Sequence, residues 1–279
     1  MRTQALGAGW VAQSQSATAP FRLHRPGTVA AASDLLARYD DATVAAGCSD
    51  LVARMREGES VTRLVSVRRI PELRAITFDD GVLRIGSAVT HHDGSTHSLV
   101  TGTVPGLADA WSRIATVRIR YTGTVGGNLM ARRTRYEMPL ILGALRARRE
   151  HDATGRLLTA VAVDTSDLLW FGYERSMRPT TTLALAVWRS GTGLRVRAVS
   201  GSEYRPGYVL EAEAATATPK GLDVHAVAAE LAGRLPDDCA DYSGSADYRR
   251  HVTAVLARRL LAAAAAGRAY GEGNAHDRA

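Results

Sequence analysis

Apolar positions at Val29, Ala32, Leu35, Leu36 and Tyr39 recur at helical spacing, with Thr28 placed to cap the start, so residues 29–39 read as an amphipathic helix. Shorter β-branched runs at 43–46, 61–67, 76–78 and 82–85 read as strands, and the last two flank Asp79-Asp80-Gly81, a hairpin signal. A short helix is expected at 51–56, and a longer one at 104–114 with Leu107, Ala110, Trp111 and Ile114 on one face. Residues 119–125 are again apolar and β-branched and run as a strand into paired glycines. Beyond them lie an apolar helix at 139–145, ended by Arg146, Arg148 and Arg149, and a further apolar run at 157–163. The last third changes character, with strands 183–188 and 194–199 joined by Ser190-Gly191-Thr192-Gly193, then helices at 222–235 and 245–266. In the final helix Tyr248, Val252, Val255 and Leu256 share one face and Arg249 and Arg250 the other. The pattern is α+β, opening β-α-β and closing on antiparallel strands with helices.

At 279 residues and 46% hydrophobic content the chain can bury a core and is long enough for two domains. No apolar run reaches the roughly 20 residues that span a bilayer, and a cytoplasmic location is expected. The apolar patch near the start is diluted by Gly7, Gly9 and Gln13, so residues 1–20 read as a flexible extension or a misassigned start, and 269–279 as a flexible tail. Two cysteines, Cys48 and Cys239, exclude a four-thiolate iron–sulfur cluster within the chain. The net charge of +7 comes almost wholly from scattered arginines, with Lys220 the one lysine, and no basic face interleaved with aromatics points to nucleic acid. His91, His92 and His97 read as a solvated loop, and no metal site is assigned.

Two stretches carry candidate chemistry. Val44, Ala45 and Ala46 end a strand that breaks at Gly47-Cys48-Ser49-Asp50 before Leu51, and the strand ending near Thr124 breaks at Val125-Gly126-Gly127-Asn128. Glycine permits positive φ and close approach of a ligand, so two such loops could converge backbone N–H groups on one pyrophosphate. Each loop taken alone reads more readily as a bulge or tight turn than as a ligand site. Gly191-Thr192-Gly193 lacks the third glycine and the βαβ setting of a dinucleotide fingerprint.

Both loops, in order, resemble one family, the FAD-binding medium subunits of molybdenum hydroxylases, which include carbon monoxide and xanthine dehydrogenases. The first resembles A-G-G-T-D-L through Ala46-Gly47-Cys48-Ser49-Asp50-Leu51; the second resembles I-R-N-x-G-T-I-G-G-N through residues 119–128, with Tyr121 and Val125 as departures. Arg69-Ile70-Pro71-Glu72-Leu73 and Ser243-Gly244-Ser245-Ala246-Asp247-Tyr248-Arg249 add to it. The resemblance implies a two-lobed FAD-binding domain of the PCMH or vanillyl-alcohol-oxidase type over 21–178 (lobes 21–78 and 79–178), then a smaller α/β domain over 179–268. It implies FAD contacts from residues 44–51, Ile114, residues 124–128 and Glu137, the last standing for a family Asp. It also implies partners, a molybdopterin-binding large subunit and an iron–sulfur small subunit, with a small-molecule substrate or electron acceptor.

Three departures qualify this picture. The family's segment over the flavin ring is shortened here to the turn around His151–Arg156, and Tyr173 stands where a basic residue is expected near the ring. Arg132, Arg133 and Arg135 add charge near cofactor or nicotinamide phosphates, or form a solvated loop. Cys48 is either a small residue tolerated in the loop or a thiol of lowered pKa. Three functions remain open: flavoprotein subunit of a molybdenum hydroxylase-type dehydrogenase, stand-alone flavin oxidoreductase, or a cofactor-less binding protein.

Overall fold

The computed structural model describes residues 19–176 and 180–268; most of the expected N-terminal extension and the tail from 269 lie outside them. Strand β1 (Arg22–His24) leads to helix α1 (Val29–Arg38), whose Thr28 hydroxyl accepts from the Ala31 N–H at 3.2 Å, and then to β2 (Ala42–Ala45). After helix α2 (Leu51–Arg56), strand β3 (Arg63–Ser66) inserts between the first two, giving a small parallel sheet ordered β1-β3-β2. Parallel strands need crossovers, and α1 and α2 are those crossovers.

Strands β4 (Ile76–Asp79) and β5 (Val82–Gly86) pair through Asp80 and Gly81, both at positive φ, as a two-residue hairpin requires. Four helices follow, α3 (His91–Thr96), α4 (Ser98–Thr103), α5 (Pro105–Arg113) and α6 (Val117–Arg120), then α7 (Val125–Met130) and α8 (Met138–Ala144). Strands β6 (Arg148–His151) and β7 (Leu158–Asp164) complete an antiparallel sheet ordered β4-β5-β7-β6. Trp111, wholly buried, sits in the core shared by this sheet and its helices.

The chain then enters a second antiparallel sheet of β8 (Leu168–Arg175), β9 (Thr182–Ser190), β10 (Gly193–Gly201) and β11 (Tyr208–Ala214), ordered β11-β10-β9-β8. Helices α9 (Val224–Gly233), capped by Asp223, and α10 (Ala246–Ala265), capped by Ser245, pack on it. Strand β8 lies before the expected boundary at 178 yet pairs with β9 along its length, so the sheet runs through that boundary.

Several expectations change. Residues 119–125 form no strand: Val117 and Ile119 are 61% and 40% exposed, and Thr124 instead caps α7, with Thr124 Oγ1 accepting from the Gly127 N–H. The histidines are not a solvated loop, since His91 is buried at the head of α3 and His97 caps α4 by accepting from the Leu99 N–H at 3.3 Å. Arg148 and Arg149 belong to β6, not to a helix end. On α10 the faces are reversed at its start: Tyr248 is 46% exposed, whereas Arg249 is 3% exposed and ion-paired with Asp241 at 2.6 Å. Burying that guanidinium is tolerable because it also donates to the Ser243 hydroxyl and the Thr180 carbonyl.

Candidate cofactor cleft

Between the small parallel sheet and the first antiparallel sheet lies a cleft of about 840 Å³. Its wall includes Val44, Ala46, Gly47, Cys48, Ser49, Asp50, Leu51, Ile114, Thr124, Gly126, Gly127, Asn128 and Glu137, so thirteen of the expected contact residues converge. Ala45 and Val125 do not line it, because their side chains pack into the two cores behind the loops.

The first loop behaves as its small residues suggest. Among the described residues, no acceptor takes the backbone N–H of Gly47, Cys48, Ser49 or Asp50, which leaves four successive donors free beside the cleft. Successive free N–H groups in a turn form a concavity suited to an anion. Positive φ is used here by Cys48, at 61°, and not by its glycine neighbour. Gly47 is needed for another reason: a Cβ there would stand 1.7 Å from the Thr122 carbonyl oxygen, because the two loops abut at that point. Burial pushes the Cys48 thiol pKa up, with Arg68 offsetting it only in part, which corrects the reading of a thiolate favoured by the loop.

The second loop is different. Val125 N–H donates to the Val89 carbonyl at 3.0 Å, Gly126 N–H to Ser87 at 2.8 Å, Gly127 N–H to Thr124 Oγ1 at 3.1 Å and Asn128 N–H to the Thr124 carbonyl at 2.9 Å. All four are consumed inside the protein, so the expectation that they face a pyrophosphate is not met. Gly126 serves packing, since a Cβ would lie 2.7 Å from Ser87 Cβ and 2.8 Å from its carbonyl oxygen. Gly127 differs again, its Cβ meeting only Thr124 Oγ1 at 3.0 Å and otherwise open space at the cleft wall.

Side chains complete the wall. Among the described residues Asn128 Oδ1 is buried with no hydrogen-bond partner, an orphaned acceptor that a ligand hydroxyl could satisfy. Arg54, Arg135, Arg156 and Arg175 line the cleft against the carboxylates of Asp50 and Glu137. Asp50 accepts from Arg54 Nε at 2.9 Å and from the Tyr136 hydroxyl at 3.0 Å, and Arg133 Nε lies 3.4 Å away. The arginine-rich segment is thus tied across the first loop through Asp50, neither a free solvated loop nor wholly a phosphate site. Burial, with the Asp50 carboxylate beside it, raises the Tyr136 phenol, which keeps it a donor.

Glu137 accepts from the buried Tyr173 hydroxyl and from Arg175 Nη1 at 3.2 Å. Burial, and then Glu137 itself, pushes the Tyr173 phenol far above its ordinary range. Tyr173 reaches this wall through Glu137, and a basic group, Arg175, joins it from two residues along β8. Alternation along a strand put both positions on one face, a signal legible in the sequence. The turn between β6 and β7 carries no covering segment; Arg156 from that turn donates to the carbonyls of Leu36, Tyr39, Asp40 and Ala42, closing the end of α1. Free N–H donors, an orphaned acceptor and guanidinium groups in the wall fit a ligand rich in phosphate and hydroxyl groups, as FAD is.

Comparison with known proteins agrees with this geometry. The chain is 37% identical over 108 residues to a xanthine dehydrogenase FAD-binding subunit of Escherichia coli O157:H7, a match covering 38% of this chain and only 37% of that subunit. It is 27% identical over 276 residues to the carbon monoxide dehydrogenase medium chain of Afipia carboxidovorans, covering 86% and 95% of the two chains. Its fold superimposes on a chain of carbon monoxide dehydrogenase from Hydrogenophaga pseudoflava with a TM-score of 0.76 at 22% identity, over 91% of this chain and 100% of that one. Residues 19–164, just over half of the sequence, match the family described as FAD binding domain in molybdopterin dehydrogenase. The chain belongs to that family.

Proposed function

We propose that the cleft holds FAD, with the N–H groups of Gly47 to Asp50 on the pyrophosphate and Asn128 Oδ1 accepting from a cofactor hydroxyl. Arg54, Arg135, Arg156 and Arg175 offset the phosphate charge, Ile114 supplies an apolar contact, and Glu137 holds Tyr173 and Arg175 at the wall. The observation that carries the reading is the run of four N–H groups at the first loop with no acceptor among the described residues. Bound flavin supplies the ability to accept electrons singly and release them in pairs. The chain's own residues bind and orient it.

On this reading the chain is the flavoprotein subunit of a molybdenum hydroxylase-type dehydrogenase in the cytoplasm. Its partners would be a molybdopterin-binding large subunit and an iron–sulfur small subunit. Cys48 and Cys239 are both free thiols, and among the described residues no cluster of His, Cys, Asp or Glu could hold a metal. No helix among the described residues is long and apolar enough to cross a membrane. The bare β6–β7 turn favours a second reading, a stand-alone flavin oxidoreductase whose ring is reached directly by its substrate. Heat-denatured protein should release a flavin that co-migrates with FAD, and co-purification with two further subunits separates the two readings. Absence of flavin absorbance after incubation with excess FAD would overturn both.

A further inference from the structure

His91 was not among the expected contacts, yet it lies in the cleft wall with its residue 2% exposed. Its backbone N–H donates to the Gly123 carbonyl at 3.0 Å, which sets the imidazole beside the seam where the two loops abut. A Cβ on Gly123 would lie 3.1 Å from Cδ2 and 3.3 Å from Nε2 of the ring. The Trp111 indole N–H donates to Nδ1 at 2.9 Å. An indole nitrogen only donates, so Nδ1 must be the unprotonated acceptor, and in the neutral ring the proton sits on Nε2.

Trp111 is itself held fast. It is fully buried, and its six-membered ring rests on Gly94, where any Cβ would come within 2.0 Å. Burial and the nearby Arg120 push the His91 pKa down to about 4, so the ring is neutral at neutral pH. Among the described residues Nε2 has no acceptor. The arrangement leaves an uncharged N–H of fixed tautomer in the wall of the cleft.

We propose that His91 is an additional cofactor-binding residue, its Nε2–H donating to an oxygen of the bound dinucleotide, with Trp111 as the positioning residue that fixes the tautomer. This rests on the reading of the cleft as an FAD site. The test is the FAD affinity of the full chain at neutral pH for wild type, His91→Gln and His91→Asn. A Gln amide N–H reaches the place of Nε2, whereas an Asn carbonyl replaces only Nδ1 and keeps the Trp111 bond. His91→Gln should bind within about threefold of wild type and His91→Asn about tenfold more weakly, the loss of one hydrogen bond. Equal affinity in all three, His91→Gln as weak as His91→Asn, or Asn rescuing better than Gln overturns the proposal. If the variants do not fold, imidazole nitrogen NMR of wild type decides. An Nε2–H signal that shifts on adding FAD supports the contact, and one that stays put overturns it. A wild type that takes no FAD overturns the cofactor reading itself, and this role with it.

Discussion

The two glycine-bearing loops look alike in sequence and do opposite work. Among the described residues no acceptor takes the four N–H groups of Gly47 to Asp50, while at Val125 to Asn128 every N–H is taken by Ser87, Val89 or Thr124. One loop is a cradle and the other a brace that holds the cradle's floor in place. A glycine pair therefore marks close approach of something, and whether that is a ligand or a neighbouring strand depends on where the hydrogen bonds go.

The sharpest way to break this contrast is to put a methyl group at each close approach. Gly47→Ala drives Cβ into the Thr122 carbonyl at 1.7 Å, and Gly126→Ala meets the Ser87 carbonyl at 2.8 Å. Overpacking against backbone costs roughly 1–3 kcal/mol or more, with Gly47 at the upper end, read as a lowered denaturation midpoint. Gly127→Ala should leave stability within about 1 kcal/mol, since its methyl meets only the Thr124 hydroxyl oxygen at 3.0 Å and alanine is the better helix former, while weakening FAD. Equal destabilisation by Gly126→Ala and Gly127→Ala would erase the distinction between brace and cleft face.

The brace also makes stability depend on pH through His91, whose ring packs beside Gly123. Its folded pKa, about 4, lies below the ordinary 6.5, so between these values the unfolded chain binds the extra proton. The contribution is fully present above pH 6.5 and lost as pH falls toward 4, on the order of 3 kcal/mol in all. Subtracting the stability profile of His91→Gln from that of wild type isolates it. A flat difference through this window would show that the imidazole is not buried neutral.

Much of this was open to reading from the sequence. Thr28, Asp223 and Ser245 cap the helices they precede, and Asp80-Gly81 makes the tight hairpin, because these signals act within three or four residues. The loops converge as the family resemblance implies. What failed depended on partners far along the chain. The apolar run from Ile119 suggested a strand, but among the described residues no strand pairs with it and Ile119 stays exposed. Arg249 looked solvated until Asp241, eight positions away, took it into the interior. His91 was unreadable because Trp111 decides its tautomer and Gly123 its location.

The smallest expected effect is in the cradle itself. Cys48 holds φ at 61°, a region costing a non-glycine residue roughly 1–2 kcal/mol, so Cys48→Gly should gain up to about 1 kcal/mol after the added chain entropy of glycine. A loss of stability in thermal or denaturant unfolding would mean that the half-buried thiol contributes more by packing than the strain costs.

Amide hydrogen exchange with and without FAD tests the central claim most directly, because it reads the same N–H groups on which the contrast rests. Without cofactor, the amides of Gly47 to Asp50 should exchange rapidly while those of Val125 to Asn128 are already protected. Adding FAD should slow the first set strongly and leave the second nearly unchanged. Protection rising equally in both loops, or no change at Gly47 to Asp50 when FAD is bound, would contradict the account.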